Sequence, residues 1–498
     1  MAGVGVKLNR IFKKDSIAVD IAGFTYSIVI TIAPMLVVIA GILLMGWVLG
    51  LGEAAYLDRE LFSCTVLYVF IFALLVVAPF NAVLSKYVQD AIYEERHQDI
   101  LPCYYLGLLM TLVPGCVIGI SFSLWEHFVG GVDVFYVFLG FCAYISMILV
   151  FYSMIYLSVC KDYERISLFF LLGMVVSFLL SMVLRFLCHW AITDSMLFSL
   201  AIGFFLIAAL EFTALKRYFL KNSNRYKPVL QYFVKWWKLV VANFFYVFGL
   251  YVHNFVFWTA DEGRIIAKSF VFNQAYDIAT CLAMFTNLSA TVIFITHVEM
   301  HFYEKYRAYS EAVIGGKGID IENAKEQMFR QLGSELMNLV RVQFIISVVI
   351  YLLCVVFLPQ YGFAGPALRI YPCLAAGYFI LFLMYASLMF LYYFNDLTGA
   401  VMTVLSFFFV TFLGSIVSMG LSDIWYGAGL ALGAYAGWSV AYMRLRWVER
   451  NLDTHIFCQG QILKREVGPK PPSLVYSRSV REKETELPCI DRNRIPSE

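Results

Sequence analysis

Charged side chains are scarce in this chain: Asp, Glu, Lys and Arg make up only 14% of its 498 residues, against about 25% in soluble globular domains. Hydrophobic residues make up 61%. A soluble core could not hide this much apolar surface, so the bilayer must act as the solvent for the fold. The formal net charge is only +2, which gives no reason to expect a nucleic-acid partner.

Metal and nucleotide motifs are also missing. The 11 cysteines are scattered without a CxxC pair, which is typical of small apolar residues rather than of a disulfide or metal framework. His297 and His301 are four residues apart, but in HVEMH rather than HExxH and without a third ligand, so no metal site is expected. Residues 311–318 lack the first glycine and the Ser or Thr of a P-loop. No catalytic set is legible, so the sequence predicts neither an enzyme nor a cofactor.

Long apolar blocks fill most of the chain between residues 21 and 444. Because about 20 apolar residues cross the hydrocarbon core as a helix, each block predicts a transmembrane span. The twelve predicted spans are 21–50, 61–83, 101–122, 133–158, 166–189, 195–215, 237–259, 269–296, 337–358, 367–391, 397–419 and 422–444. The sequence therefore predicts an all-α, polytopic membrane protein with about twelve transmembrane helices in two six-helix bundles.

Lys and Arg fall mainly in alternate gaps between the apolar blocks. The gap at 216–238 is strongly basic, whereas the loops on the opposite side carry only Arg59, Arg264 and Lys268. Basic loops remain in the cytoplasm during insertion. We therefore expect a multi-pass protein of the bacterial cytoplasmic (inner) membrane, surrounded by membrane lipids, with both termini in the cytoplasm.

The same pattern predicts the domain organisation. An N-terminal six-helix half is expected at 1–215, a cytoplasmic linker at 216–236 and a C-terminal six-helix half at 237–450. Within the second half, 299–335 is expected to be a cytoplasmic helical loop broken at a Gly-Gly-Lys-Gly segment, and 451–498 a polar, disordered tail. Two halves of six spans are typical of transporters, although no residue-level repeat between them is visible.

An ionisable side chain within a span is expensive and suggests a functional site. Asp277 is the clearest case; Asn273 lies one turn before it and Thr280 three residues after it, on one face of a predicted helix. The group is either a substrate or cation site, or a buried carboxylate satisfied by neighbouring helices. The sequence favours neither interpretation over the other.

Four further polar residues interrupt the apolar spans. His253 and Asn254 lie in the aromatic-rich seventh span, where they either line a wet path or join helices by hydrogen bonds. Arg185 lies near the outer end of span five and has the alternative of reaching the interface. Glu211 lies near the inner end of span six and has the alternatives of meeting water or pairing with Lys216. The predicted substrate or ion path comprises Asp277, Asn273, His253, Asn254, Glu211 and Arg185.

Two segments resemble a known family. The opening MAGVGVKLNRIFKKDS, followed directly by an apolar span, is similar to the start of PelG proteins of the Pel exopolysaccharide export system. The matching residues are Met1, Ala2, Gly3, Gly5, Leu8, Lys14, Asp15 and Ser16. The runs VHNFVFW, AYDIA and HVEMHFYEKYRAYSEAV resemble the middle of these proteins, at Phe255, Phe257, Trp258, Tyr276, Asp277, Glu299, Phe302, Tyr306 and Tyr309. Val6 and Lys7 depart from the family's usual Phe and frequent Glu, which leaves the polymer's identity open.

This resemblance implies a twelve-helix member of the multidrug/oligosaccharidyl-lipid/polysaccharide flippase superfamily. It implies export of an exopolysaccharide, a Pel-like polymer, beside a cytoplasmic glycosyltransferase and a membrane-bound regulator. The alternatives are a drug or cation antiporter, a lipid-precursor flippase of the same fold, and a membrane scaffold of a polysaccharide synthase complex that docks its partner through 299–335. A membrane-embedded transferase would need a catalytic constellation that the sequence does not show.

Overall fold

A computed structural model of the chain describes residues 17–160, 162–260, 263–287, 302–361 and 365–459, with side chains from 33 to 452 within these ranges. The described residues form fourteen α-helices and one two-stranded hairpin. The chain divides into two compact units, Met1–Trp447 and Val448–Glu498. All contacts discussed below lie within the first unit.

The helices fall into two sets joined by a short helix in the basic linker. The first set is α1 (Ile17–Leu49), α2 (Tyr56–Tyr93), α3 (Ile100–Phe128), α4 (Val134–Cys160), α5 (Tyr163–Phe186) and α6 (Ile192–Tyr218). The linker helix is α7 (Lys227–Lys235). The second set is α8 (Trp237–Trp258), α9 (Gln274–Asn287), α10 (Tyr303–Gly315), α11 (Gly318–Phe357), α12 (Pro366–Tyr393), α13 (Leu397–Met419) and α14 (Ala428–Gln459). Between α8 and α9, strands β1 (Arg264–Ile266) and β2 (Phe270–Phe272) pair antiparallel.

Each of the twelve predicted spans overlaps one of these helices. Within the described residues, nine helices are long and apolar enough to cross a membrane, and α1 adds a shorter apolar helical stretch at Ala33–Leu49. The chain is therefore an all-α, polytopic membrane protein, as the sequence predicts. Helix α14 continues through Gln459, past the expected start of the tail at 451, and departs from helical geometry at Asn451. Residues 460–498 lie outside the described residues.

The eighth span begins later than the sequence prediction of 269–296. Phe270–Phe272 forms strand β2, and α9 begins only at Gln274. A short apolar run of aromatic and β-branched residues is compatible with either a strand or a buried helix, so hydropathy alone does not separate the two. Residues 288–301 lie outside the described residues, and the rejected zinc pair His297 and His301 falls among them.

Two helices extend beyond the predicted spans. Helix α2 runs on to Tyr93, past the predicted end of the second span at 83, and buries Leu84 and Val88 in the core of the first set. The break between α10 and α11 at Gly316 and Lys317 is confirmed. Beyond it, α11 is one helix of 40 residues that includes the ninth span.

The helix contacts of the first set recur in the second. Helix α1 packs on α5 as α8 packs on α13, and α2 packs on α4 as α9 packs on α12. Helix α3 packs on α4 as α11 packs on α12. This recurrence gives two bundles of similar architecture, as expected of transporters built from repeats. The boundaries of the halves at 215 and 237 stay predictions.

Glycines bring the last two helices of each bundle into backbone contact. A Cβ on Gly203 of α6 would lie 2.8 Å from the carbonyl oxygen of Gly173 in α5. A Cβ on Gly433 of α14 would lie 2.7 Å from the backbone nitrogen of Thr411 in α13. Close approach through small residues is the usual way in which membrane helices associate.

An aspartate caps the fifth helix of each bundle and is held by the sixth. Asp162 accepts from the backbone nitrogen of Arg165 at 3.4 Å and from the hydroxyl of Tyr218 at 2.5 Å. Asp396 accepts from the backbone nitrogen of Gly399 at 3.0 Å and from Nε of Arg444 at 2.7 Å. The residues of this contact are Asp162, Arg165 and Tyr218 in the first bundle and Asp396, Gly399 and Arg444 in the second. Each carboxylate accepts from a backbone N–H at the start of its helix and from a side chain of the sixth helix of the bundle.

Candidate functional site

The predicted site residues of the second bundle lie where α8 ends and α9 begins. The hairpin turns the chain back, so that the end of α8 lies against the first turn of α9. Asn273 forms the helix cap: its Oδ1 accepts from the backbone nitrogen of Tyr276 at 3.2 Å, and its Nδ2 donates to the carbonyl oxygen of Phe257 at 3.4 Å. Its side chain therefore fixes the local backbone rather than sharing a helix face with Asp277.

Asp277 is the centre of a polar group that combines two helices. Asn254 Nδ2 donates to Asp277 Oδ1 at 2.7 Å. The indole Nε1 of Trp258 donates to both carboxylate oxygens, at 3.0 and 3.1 Å. Asp277 also lies in the first turn of α9, where the helix dipole favours negative charge. These donors offset part of the cost of removing a carboxylate from water. We call Asp277, Asn254 and Trp258 the Asp277 group.

Several buried polar atoms around this group have no hydrogen-bond partner among the described residues. They are Asn254 Oδ1, Thr280 Oγ1 and His253 Nε2. The other ring nitrogen of His253, Nδ1, lies 2.8 Å from the hydroxyl of Tyr276, and the imidazole is fully buried. Because buried polar atoms are nearly always paired, these atoms are suited to hydrogen bonds with the hydroxyl groups of a substrate, and the oxygens among them are also suited to a cation.

Arg185 and Glu211 are not brought to the Asp277 group. Arg185 donates from Nη1 to the carbonyl oxygen of Trp190 at 2.9 Å, beyond the end of α5. Glu211 is fully buried in α6, and neither of its carboxylate oxygens has a hydrogen-bond partner in the described part of the chain. The alternative pairing of Glu211 with Lys216 is not seen there. Both residues belong to the first bundle, so the predicted path is not one contiguous cluster.

Sequence reasoning missed two aromatic members of the site. Trp258 follows Asn254 by four residues, so both lie on one face of α8, and this spacing was a usable signal. Tyr68 of α2 stacks on the Trp258 ring, with centroids 5.0 Å apart and ring planes at 7°. Its hydroxyl also accepts from the backbone nitrogen of Val271 at 3.1 Å and donates to the carbonyl oxygen of Val271 at 2.8 Å. No local pattern marks a contact across 190 residues of chain.

The site therefore lies where the two bundles meet. Helix α2 of the first bundle packs on α8 of the second, and strand β2 contacts both helices. Among the described residues, no group of three or more His, Cys, Asp or Glu side chains is placed to hold a metal ion. What the arrangement offers chemically is one carboxylate, several unpaired acceptors and aromatic faces.

Comparisons with known proteins agree with this architecture. The sequence model of the PelG family, described as "Putative exopolysaccharide Exporter (EPS-E)", matches residues 1–457. No curated protein sequence matches the chain.

Solved structures with a similar fold are transporters. A Vibrio cholerae MATE transporter, VcmN, in its bent form has a TM-score of 0.58 at 12% identity, covering 90% of this chain and 99% of the other. An inward-facing multidrug resistance MATE family transporter of the MOP superfamily has a TM-score of 0.56 at 12% identity, covering 85% of this chain and 99% of the other. A MATE protein in the bent conformation has a TM-score of 0.56 at 11% identity, covering 86% and 96% of the two chains. Identities this low establish a shared fold only.

Proposed function

Because the chain belongs to the PelG family of exopolysaccharide exporters, we propose that it passes a Pel-like polysaccharide across the cytoplasmic membrane as a flippase-type transporter, between its two helix bundles. The observation that supports this route is the Asp277 group, which lies where α2 of one bundle packs on α8 of the other. A carboxylate with unpaired acceptors beside it binds hydroxyl groups, and the flanking aromatic rings offer flat surfaces to sugar rings.

The proposal includes partners and an orientation. A cytoplasmic glycosyltransferase supplies the growing polymer, and a membrane-bound regulator completes the complex. The helices α10 and α11 offer the glycosyltransferase a docking surface, since the mixed-charge part of this segment lies on the side with the basic loops. The distribution of Lys and Arg supports placing both termini in the cytoplasm.

Replacing Asp277 by Asn tests the site. The change keeps the shape and removes the charge, so it weakens the charge-assisted hydrogen bonds of the group. We expect polymer export, measured as secreted polysaccharide per cell, to fall by about tenfold, which corresponds to about 1.4 kcal/mol. The membrane level of the protein should stay unchanged. Asp58→Asn is the matched control, because Asp58 is exposed in the first turn of α2. Export by the Asp277 variant equal to that of the control would exclude the site assignment.

A second candidate function rests on the fold, which this chain shares with multidrug transporters. A drug or cation antiporter would take up cationic dyes into proteoliposomes against an ion gradient, and it would do so without a glycosyltransferase. Polymer export that depends on this gene, together with the absence of dye transport, favours the exporter. If the protein acts as a scaffold that docks its partner through 299–335, deleting this segment abolishes partner binding and leaves any transport in proteoliposomes intact.

A further inference from the structure

A second group of unpaired polar atoms lies in a cleft of the first bundle. The cleft lies between α2, α3 and α4 and is bordered by strand β2; it is partly open, and its cavity has a volume of about 90 Å³. Six of the residues that line it are aromatic: Tyr68, Phe72, Phe122, Phe141, Tyr144 and Phe270. We call this feature the aromatic cleft.

The walls of the aromatic cleft are fixed by packing. The rings of Phe122 and Phe270 meet edge to face at 5.3 Å, and Tyr68 meets Phe270 in the same way at 4.9 Å. Gly119 leaves room for the ring of Tyr144, because a Cβ there would lie 2.8 Å from that ring. Rings held in this way offer preformed flat surfaces at a low entropic cost of binding.

Two polar groups that line the cleft have atoms without a partner. The side chain of Glu126 is only 4% exposed, and its Oε1 has no hydrogen-bond partner in the described chain. Tyr144 is 7% exposed, and its hydroxyl likewise has none among the described residues. The hydroxyl of Thr65, which also lines the cleft, is bonded to Leu61 O and to the hydroxyl of Tyr136. The Thr65 hydroxyl therefore has its hydrogen bonds within the fold, whereas the Glu126 carboxylate and the Tyr144 phenol are available to a ligand. Leaving a buried carboxylate unpaired is costly.

We propose that the aromatic cleft binds one sugar unit of the exported polysaccharide. The aromatic rings pack on the apolar C–H face of the sugar ring, Glu126 accepts from its hydroxyl groups, and the Tyr144 hydroxyl completes the contact. A lipid acyl chain would fill the same apolar walls but would leave both polar groups unpaired. This inference rests on the proposed function, since it takes the polymer as the ligand.

The aromatic cleft also adjoins the Asp277 group through one residue. Tyr68 lines the cleft and at the same time stacks on Trp258, which donates to Asp277. A polymer held at both places would contact the protein with two of its sugar units, on either side of Tyr68. The cleft therefore extends the proposed path from the meeting point of the bundles onto α3 and α4.

The test measures binding of two defined oligosaccharides to the full-length protein in lipid nanodiscs. Cellotetraose and tetra-N-acetylchitotetraose serve as the sugars, and calorimetric titration gives the Kd. We expect at least one of them to bind, and Glu126→Gln to weaken binding by about tenfold, since a hydrogen bond to a charged acceptor is replaced by a weaker one to a neutral amide oxygen. Glu311→Gln is the matched control: Glu311 is exposed and pairs with Arg307 on α10, and its replacement should leave the Kd unchanged.

Tyr144→Phe separates ligand binding from packing. Removing a buried hydroxyl that has no protein partner should leave the melting temperature of the unliganded protein unchanged or raise it. The same change should weaken oligosaccharide binding by about fivefold, because one neutral hydrogen bond to the ligand is lost. A lower melting temperature with unchanged binding would assign the hydroxyl to the fold and overturn the proposal.

Other outcomes also decide the matter. The proposal fails if wild-type protein binds neither sugar at roughly 10 mM, a very weak affinity, or if both variants bind as tightly as the control. A lipid retained equally by wild type and Glu126→Gln in native mass spectrometry would assign the cleft to an acyl chain. Export is measured in parallel in cells. Export without sugar binding overturns only the assignment of the aromatic cleft as a sugar site. Export that does not depend on the gene overturns the proposed function but does not affect the binding result.

Discussion

Trp258→Phe is the most direct probe of how the Asp277 group is held together. The substitution removes the indole N–H, which donates to Asp277 Oδ1 at 3.0 Å and to Oδ2 at 3.1 Å. It keeps an aromatic ring against Tyr68, whose centroid lies 5.0 Å from that of the indole. Hydrogen bonds to charged groups contribute about 1.5–3 kcal/mol. Asn254 still donates to the carboxylate, so we expect the free energy of unfolding to fall by about 2 kcal/mol.

A double-mutant cycle isolates the interaction from the loss of indole packing. The free energy of unfolding is measured in mixed micelles for wild type, Trp258→Phe, Asp277→Asn and the double variant. If the indole acts through the carboxylate, the effects of the single changes are not additive, and we expect a coupling energy of about 1–2 kcal/mol. Trp47→Phe is the control, because Trp47 is 81% exposed and its loss should change the free energy by less than about 0.5 kcal/mol. Effects that add to within about 0.5 kcal/mol would show that the reasoning about this bond is wrong.

Two further predictions concern the packing of the second bundle. Gly433→Leu should lower the melting temperature and the yield of folded protein, because its Cβ would meet Thr411 backbone atoms; the free energy of unfolding should fall by about 1–3 kcal/mol. Gly333→Leu is the control and should have neither effect, because a Cβ there meets nothing within 4 Å. Arg444→Met should destabilise the protein by about 3–5 kcal/mol, since Asp396 is left as a buried carboxylate without its partner. Adding Asp396→Asn should restore most of the lost stability. Thermal unfolding of the single and double variants measures both effects.

The transmembrane helices could be predicted because hydropathy is a local property. Each apolar block identified a helix, and the break at Gly316 and Lys317 was legible from its glycines. The start of α9 was not, because Phe270–Phe272 is as apolar as a span and its pairing with Arg264–Ile266 depends on a turn that hydropathy does not describe. The end of α2 was missed for the opposite reason: its polar last turns are covered by tertiary contacts that no window of sequence contains.

The candidate site could be predicted in part. Asp277 and Asn254 were identifiable as polar residues within apolar spans, and the structure joins them by a hydrogen bond. Asn273 has a helix-capping role, which became visible only when the helix was seen to begin at Gln274. Tyr68 and Glu126 could not be predicted as partners or as members of a cleft, since their role depends on which helices pack side by side.

The repeat between the bundles was hidden for a related reason. It resides in contacts and not in residue identities: Tyr218 holds Asp162 in one bundle, whereas Arg444 holds Asp396 in the other. A phenol and a guanidinium donate to the carboxylate in equivalent places, so the donors of the two bundles do not match as residues although their contacts do.

The hydroxyl of Tyr68 has a mechanical consequence. It joins α2 to both backbone groups of Val271, while the ring of the same residue lies flat on Trp258. Any movement that separates α2 from both the hairpin and the end of α8 must break two hydrogen bonds and one ring stack, because a single side chain makes all three. The indole that donates to Asp277 would then lose its stacking partner together with those bonds.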